Sequence, residues 1–91
     1  MKPIASIIKQ IIDENKIDDM FNFSLILQKW QEHYPDTFRN NIKLIDFKNK
    51  TLFLKAISPV WRKEISLMTD KIIKDINRLL ENDIIEKIVV K

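Results

Sequence analysis

The only histidine of this 91-residue chain, His33, stands beside Tyr34-Pro35 near the end of an expected helix. An imidazole can serve as a general base, but that role needs a nucleophile and an orienting partner. No such set accompanies His33, and an imidazolium at a helix C-terminus is favoured by the helix dipole. It therefore reads as a capping or surface residue. The acid pairs Asp13-Glu14 and Asp18-Asp19 fall at expected helix ends, where they complement a dipole or are solvated, not where two carboxylates would share a proton. One histidine and scattered acids lack the clustering of a metal site. With no cysteine, thiolate ligands and disulfides are excluded. The absence of glycine excludes phosphate-binding loops, whose tight turns need backbone without a Cβ. No catalytic residue, metal or cofactor is expected, and the chain does not read as an enzyme.

Basic residues are the better candidates. Lys63, Lys71, Lys74 and Arg78 form a stripe at helical spacing, and each could approach a phosphate. Lys43 and Lys55, on expected strands, add to the same field. Non-specific nucleic-acid binding needs little more than such an array and is strongly salt-dependent. The net charge of +3 and a pI near 9.2 agree with this but are shared by many inert domains. Glu64, Asp70 and Asp75 share the helix, so a solvated face of local ion pairs is the equal alternative. Phe53, close to Lys55, reads either as a base-stacking platform or as a packing residue. Trp30 and Trp61 lie on apolar faces at helical spacing and are expected in the core, packed against each other.

These residues must be positioned by few elements. Pro3 to Glu14 reads as a first helix with Ile4, Ile7, Ile8, Ile11 and Ile12 on one face, and Asn15 as its left-handed cap. A second helix runs from about Asp18 to His33, with Met20, Phe23, Ile26, Leu27 and Trp30 on its apolar side, and Pro35 stops it. Asp36 to Asn41 is a polar connector with room for one helical turn. The period then changes from helical to strand-like over Ile42–Phe47 and Thr51–Ile57, joined by a turn centred on Asn49-Lys50. Ser58 and Pro59 start a long helix, on which Trp61, Ile65, Met68, Ile72, Ile76 and Leu79 recur at spacings of three and four. It ends near Leu80 at Glu81-Asn82-Asp83, and Ile84–Val90 is a last strand. The order α-α-β-β-α-β predicts an α+β domain, a three-stranded sheet packed against the long helix.

Pairing Phe47 with Leu52 places Ile45 opposite Leu54 and Lys43 opposite Ala56. One sheet face then carries Ile45, Phe47, Leu52, Leu54 and Ala56. The other carries Ile42, Leu44, Asp46, Phe53, Lys55 and Ile57. Since a half-solvated sheet alternates cleanly, the apolar residues Ile42, Leu44, Phe53 and Ile57 need an explanation. Either the first helix covers them, or they form a partner interface, with a homodimer among the options.

The length suits a single domain over residues 1–91, and 45% apolar with 32% charged residues is an ordinary globular balance. No run of about twenty apolar residues could span a membrane, and the Met1-Lys2-Pro3 start lacks a small-residue cleavage site. A cytoplasmic location is expected.

Several of these residues also form a pattern: Trp30 closing a helix, Thr51-Leu52-Phe53-Leu54-Lys55-Ala56, then Ser58, Trp61, Glu64 and Ile65, and finally Asn77-Arg78-Leu79-Leu80. This resembles the DciA-like family over about Leu25–Val90, with the Ser58–Ile65 cluster as the most specific part. The resemblance implies a KH-like fold and a role as a DNA-binding partner of the replicative helicase in loading or operating it. The chain departs from the family where members carry a glycine soon after the first tryptophan; here His33-Tyr34-Pro35-Asp36 stand. It also lacks the G-x-x-G clamp by which typical KH domains grip RNA. Many members carry a basic extension beyond the domain, whereas this sequence stops at Lys91. The family offers no active site to carry over. Two functions follow as expectations: a DNA-associated helicase adaptor using the basic stripe, or a protein-interaction module using the apolar sheet face.

Overall fold

The computed structural model describes residues 14–91. Helix α1 covers Glu14–His33. Asn15 to Ile17, expected to separate two helices, are themselves helical, so Asn15 is not a left-handed cap. No glycine or proline interrupts residues 14–33, and the polar residues there cost only tenths of a kcal/mol each relative to alanine. The rest of the expected first helix, and any cover it gives the sheet, lies outside the described residues. Ile26 and Trp30 of α1 are buried and Phe23 packs beside them, whereas Met20, expected on the same face, is 69% exposed. Pro35 ends the helix and opens α2, Asp36–Asn41, its carbonyl accepting the N–H groups of Phe38 and Arg39. The connector's single turn is thus a short helix.

Strands β1 (Ile42–Lys48) and β2 (Thr51–Ala56) form a hairpin. Asn49 and Lys50 have φ of 51° and 59°, the paired positive values of a type I′ turn, which asparagine tolerates best among non-glycine residues. Phe47 pairs with Leu52 as expected. One residue further on the register shifts: Leu44, not Ile45, pairs with Leu54, and Ile42, not Lys43, pairs with Ala56. Ile45 is the extra residue of a β-bulge and is 44% exposed. The Asp46 carboxylate, next to the bulge, accepts the Phe47 N–H at 2.8 Å. Because side chains alternate with period two, this single insertion moves everything before it to the opposite face. Ile42 (1% exposed) and Leu44 therefore belong to the core side, and their expected place on the outer face is corrected.

The Ser58 hydroxyl caps helix α3 (Pro59–Leu67), accepting the Trp61 N–H at 3.3 Å, with Pro59 at the first helical position. The single long helix expected here is broken. Met68 has φ −107° and ψ 4°, and α4 starts afresh at Thr69 and runs to Leu79. The hydroxyls on either side give the reason. Ser66 donates to the Arg62 carbonyl at 2.7 Å and Thr69 to that of Ser66 at 3.5 Å, so side chains compete for the acceptors of the ladder. The Met68 N–H bonds three residues back, to Ile65, which tightens the last turn of α3.

A left-handed residue, Glu81 at φ 56°, ends α4. Its N–H reaches the Arg78 carbonyl and that of Asn82 reaches Asn77, a Schellman closure built without glycine. Asn77 then holds the outgoing chain: its Oδ1 accepts the N–H groups of Ile84 and Ile85, and its Nδ2 donates to the Ile85 carbonyl, at 2.8–3.1 Å. These bonds hold Ile84 and Ile85 away from the ladder, and the Glu86 N–H goes to the Lys50 carbonyl, so β3 is shorter than expected, Lys87–Val90. It lies parallel to β2, giving a mixed sheet of order β1-β2-β3.

Among the described residues, four helices and this sheet make an α+β domain, as expected, compatible with a KH-like arrangement. The core joins Ile26 and Trp30 of α1, Ile65 of α3, and Ile72 and Ile76 of α4 to Phe47, Leu52, Leu54 and Ala56 of the sheet. Trp30 and Trp61 do not pair directly. Phe38 stands between them, its ring centroid 6.4 Å from Trp30 and 5.3 Å from Trp61.

Candidate nucleic-acid interface

With Leu52, Leu54 and Ala56 pointing into the core, the alternate residues of the sheet define an outer face. Phe53 and Lys55 of β2 lie on it, and register places Lys43 opposite Lys55 and Val89 beside Phe53. The Lys48 and Lys91 ammonium groups reach over the Phe53 ring, at 5.6 and 5.4 Å from its centroid. Lys87, paired with Thr51, shares the same parity. Lys43, Lys48, Lys55, Lys87 and Lys91 are all exposed. Asp46, also exposed, is the acid among the paired residues of β1, and one of its oxygens is engaged by the Phe47 backbone.

Holding Lys43 opposite Lys55 is unfavourable, because like charges directly opposed on a strand pair repel. The bulge makes the juxtaposition. In the regular register Lys43 would face Ala56, on the core side. Sequence reading picked out Lys43, Lys55 and Phe53 singly and missed Lys48, Lys87 and Lys91. The only available signal was their period-two alternation with apolar residues, and one strand's alternation does not say which other strand lies beside it.

The helical stripe is arranged differently. Lys63 lies on α3 while Lys71, Lys74 and Arg78 lie on α4, so the break at Met68 separates them. All four are exposed. Arg78 is 3.4 Å from the Asp75 carboxylate, whose other oxygen is 3.5 Å from the Tyr34 hydroxyl that donates to it. Burial, with added repulsion and hydrogen bonding from Asp75, pushes the Tyr34 hydroxyl up to about 12. A groove of about 400 Å³ runs past His33, Tyr34, Phe38, Lys71, Asp75 and Arg78. Asp75 offsets one of its two cations, Arg78, which lowers its attraction for phosphate. His33 stands exposed at the end of α1, 3.8 Å from Glu32.

Among the expected partner-interface residues, Ile42 is in the core and Leu44 packs on it, leaving Phe53 half-buried and Ile57 exposed on the surface. Val60 and Leu67, seven residues apart on one face of α3, are also exposed. Among the described residues no group of His, Cys, Asp or Glu could hold a metal ion, and no helix is long and apolar enough to cross a membrane.

Within the described residues the domain is a small mixed sheet with helices on one side and a lysine-rich face on the other. The chain matches the family described as Dna[CI] antecedent, DciA, over residues 3–90, essentially its whole length, and it belongs to that family. DciA proteins are non-enzymatic and are associated with helicase loading in DNA replication. No curated protein and no solved structure matches the chain.

Several residues of the family pattern have structural roles here. Ser58 caps α3, Trp61 packs on Phe38, Ile65 is fully buried, and Asn77 ties the segment leading into the last strand to α4.

Proposed function

We propose that this protein is a cytoplasmic adaptor of the replicative helicase that contacts DNA, and that the outer sheet face is its principal phosphate-binding surface. The opposition of Lys43 and Lys55 carries this reading. A fold that keeps two like charges opposed, with three further lysines around them, retains an electrostatic cost that a polyanion relieves. Lys63, Lys71, Lys74 and Arg78, interleaved with Glu64, Asp70 and Asp75, form a second surface of smaller effect. Binding is weak, non-specific and salt-dependent, since lysines give point contacts to phosphate and no base-edge readout.

The test is a DNA titration at low salt with two variants of the full chain. Lys43→Glu/Lys55→Glu should lower affinity at least about tenfold and flatten the salt dependence, each lost phosphate contact removing about 0.7–0.9 from the slope. Replacing Lys71, Lys74 and Arg78 together should do less. The opposite ranking would move the interface to the helices, and equal binding by all three proteins would refute both surfaces.

A second reading is favoured by Ile57, Val60 and Leu67, exposed apolar residues at and after the end of β2. They suit a protein partner, either the helicase or a second copy of the chain. A pull-down with the cell's replicative helicase, with and without Val60→Glu/Leu67→Glu, tests the first. Sedimentation tests the second, and a folded wild-type monomer at high concentration would count against a dimer.

A further inference from the structure

Phe53 occupies the centre of the outer face, on the central strand, with Asp46 and Val89 as its lateral partners. The sheet's other aromatic, Phe47, is buried on the core side. Phe53 is half-buried, and two ammonium groups stand within 6 Å of its ring, Lys48 from β1 and Lys91 just beyond β3. A cation over an aromatic ring at an exposed site is held weakly. A phosphate is a stronger partner for the same ammonium, because both groups are charged. As the lysines leave for phosphates, the ring surface they cover is released, and a released aromatic between two phosphate-bound lysines is a stacking platform.

We propose that Phe53 is the residue by which this face distinguishes single-stranded from duplex DNA. An unpaired base stacks on its ring while Lys48 and Lys91 move from the ring to the flanking phosphates. A duplex keeps its bases inside its own stack and offers this face phosphates alone, so it engages the lysines and leaves Phe53 unused. The inference rests on the reading that the outer face meets DNA.

Fluorescence anisotropy with an oligothymidylate and a duplex of equal length tests it on the full chain. Phe53→Leu keeps an apolar side chain under the lysines but has no π-face. It should weaken single-strand binding about tenfold, within the range for one stacked base, and change duplex binding less than about twofold. Its salt slope should match the wild type, since no phosphate contact is lost. Phe53→Trp should bind the single strand at least as well as the wild type. Lys48→Ala/Lys91→Ala should instead lower the single-strand slope by about 1.4, two contacts at about 0.7 each. Unchanged single-strand binding by Phe53→Leu, with wild-type thermal stability confirming its fold, overturns the stacking role and leaves the basic face standing. A wild type that binds neither DNA at low salt overturns both readings.

Discussion

Asn77 shows how much one side chain can organise. It sits on the last turns of α4 and uses its whole amide group on the chain that leaves the helix, accepting two N–H groups and donating to one carbonyl. Asn77→Ala should destabilise the domain by about 2–3 kcal/mol in urea unfolding, because partly buried backbone groups lose their partners together. A loss under about 0.5 kcal/mol would mean that water replaces the amide there. Tyr34 makes a different prediction. Its hydroxyl ionises near 10 in an unfolded chain and near 12 in the fold. The folded state thus holds its proton more tightly. The stability from this difference is complete below pH 10 and is lost as pH rises from about 10 to 12. Tyr34→Phe should unfold less steeply over that window than the wild type, and parallel curves would show that the hydroxyl is not responsible.

At the level of elements, the absence of glycine leaves its marks at the turns. Asn49, Lys50 and Glu81 all adopt positive φ. For asparagine this is a mild penalty; for glutamate, with its Cβ against the carbonyl, it costs about 1–2 kcal/mol. Glu81→Gly should relieve that strain, partly offset by the greater freedom of glycine in the unfolded chain, for a net gain of about 0.5–1 kcal/mol. Thermal unfolding measures it, and a lower Tm would indicate that the Glu81 side chain contributes something the closure geometry does not reveal. The break at Met68 belongs to the same scale. It divides the basic stripe, and with it the idea of one continuous basic helix.

For the whole molecule, the consequence of the fold is a separation of labour between two sheet faces. One face is closed by α1, α3 and α4 over a core of isoleucine, leucine and aromatic side chains. The other gathers lysines from all three strands and from Lys91. Concentrating like charge this way should weaken the fold while favouring a polyanionic partner. Lys43→Glu turns the repulsive pair into an attractive one. It should stabilise the free protein by about 0.2–1 kcal/mol and at the same time weaken DNA binding and its salt dependence. If stability and affinity both fell, repulsion across the hairpin would not be what the partner relieves.

Much of this was legible from residue order. The type I′ turn at Asn49-Lys50, the Ser58-Pro59 start, the glycine-free stop after Leu80 and the core positions Ile65, Ile72 and Ile76 all rest on local chemistry, since capping, turn preference and helical period act within a few residues. The pattern around Trp30, Ser58, Trp61 and Ile65 likewise pointed to the family that the whole-chain match establishes. Tertiary structure alone decided the faces. One bulge at Ile45 exchanged the inner and outer residues at the start of β1, and hydroxyl competition around Met68 split a helix whose apolar spacing runs on without interruption. The pairing of β2 with β3 brought Lys87 and Lys91 beside residues more than thirty positions earlier. Periodicity describes each segment in its own frame, and only packing against a common core sets those frames relative to one another.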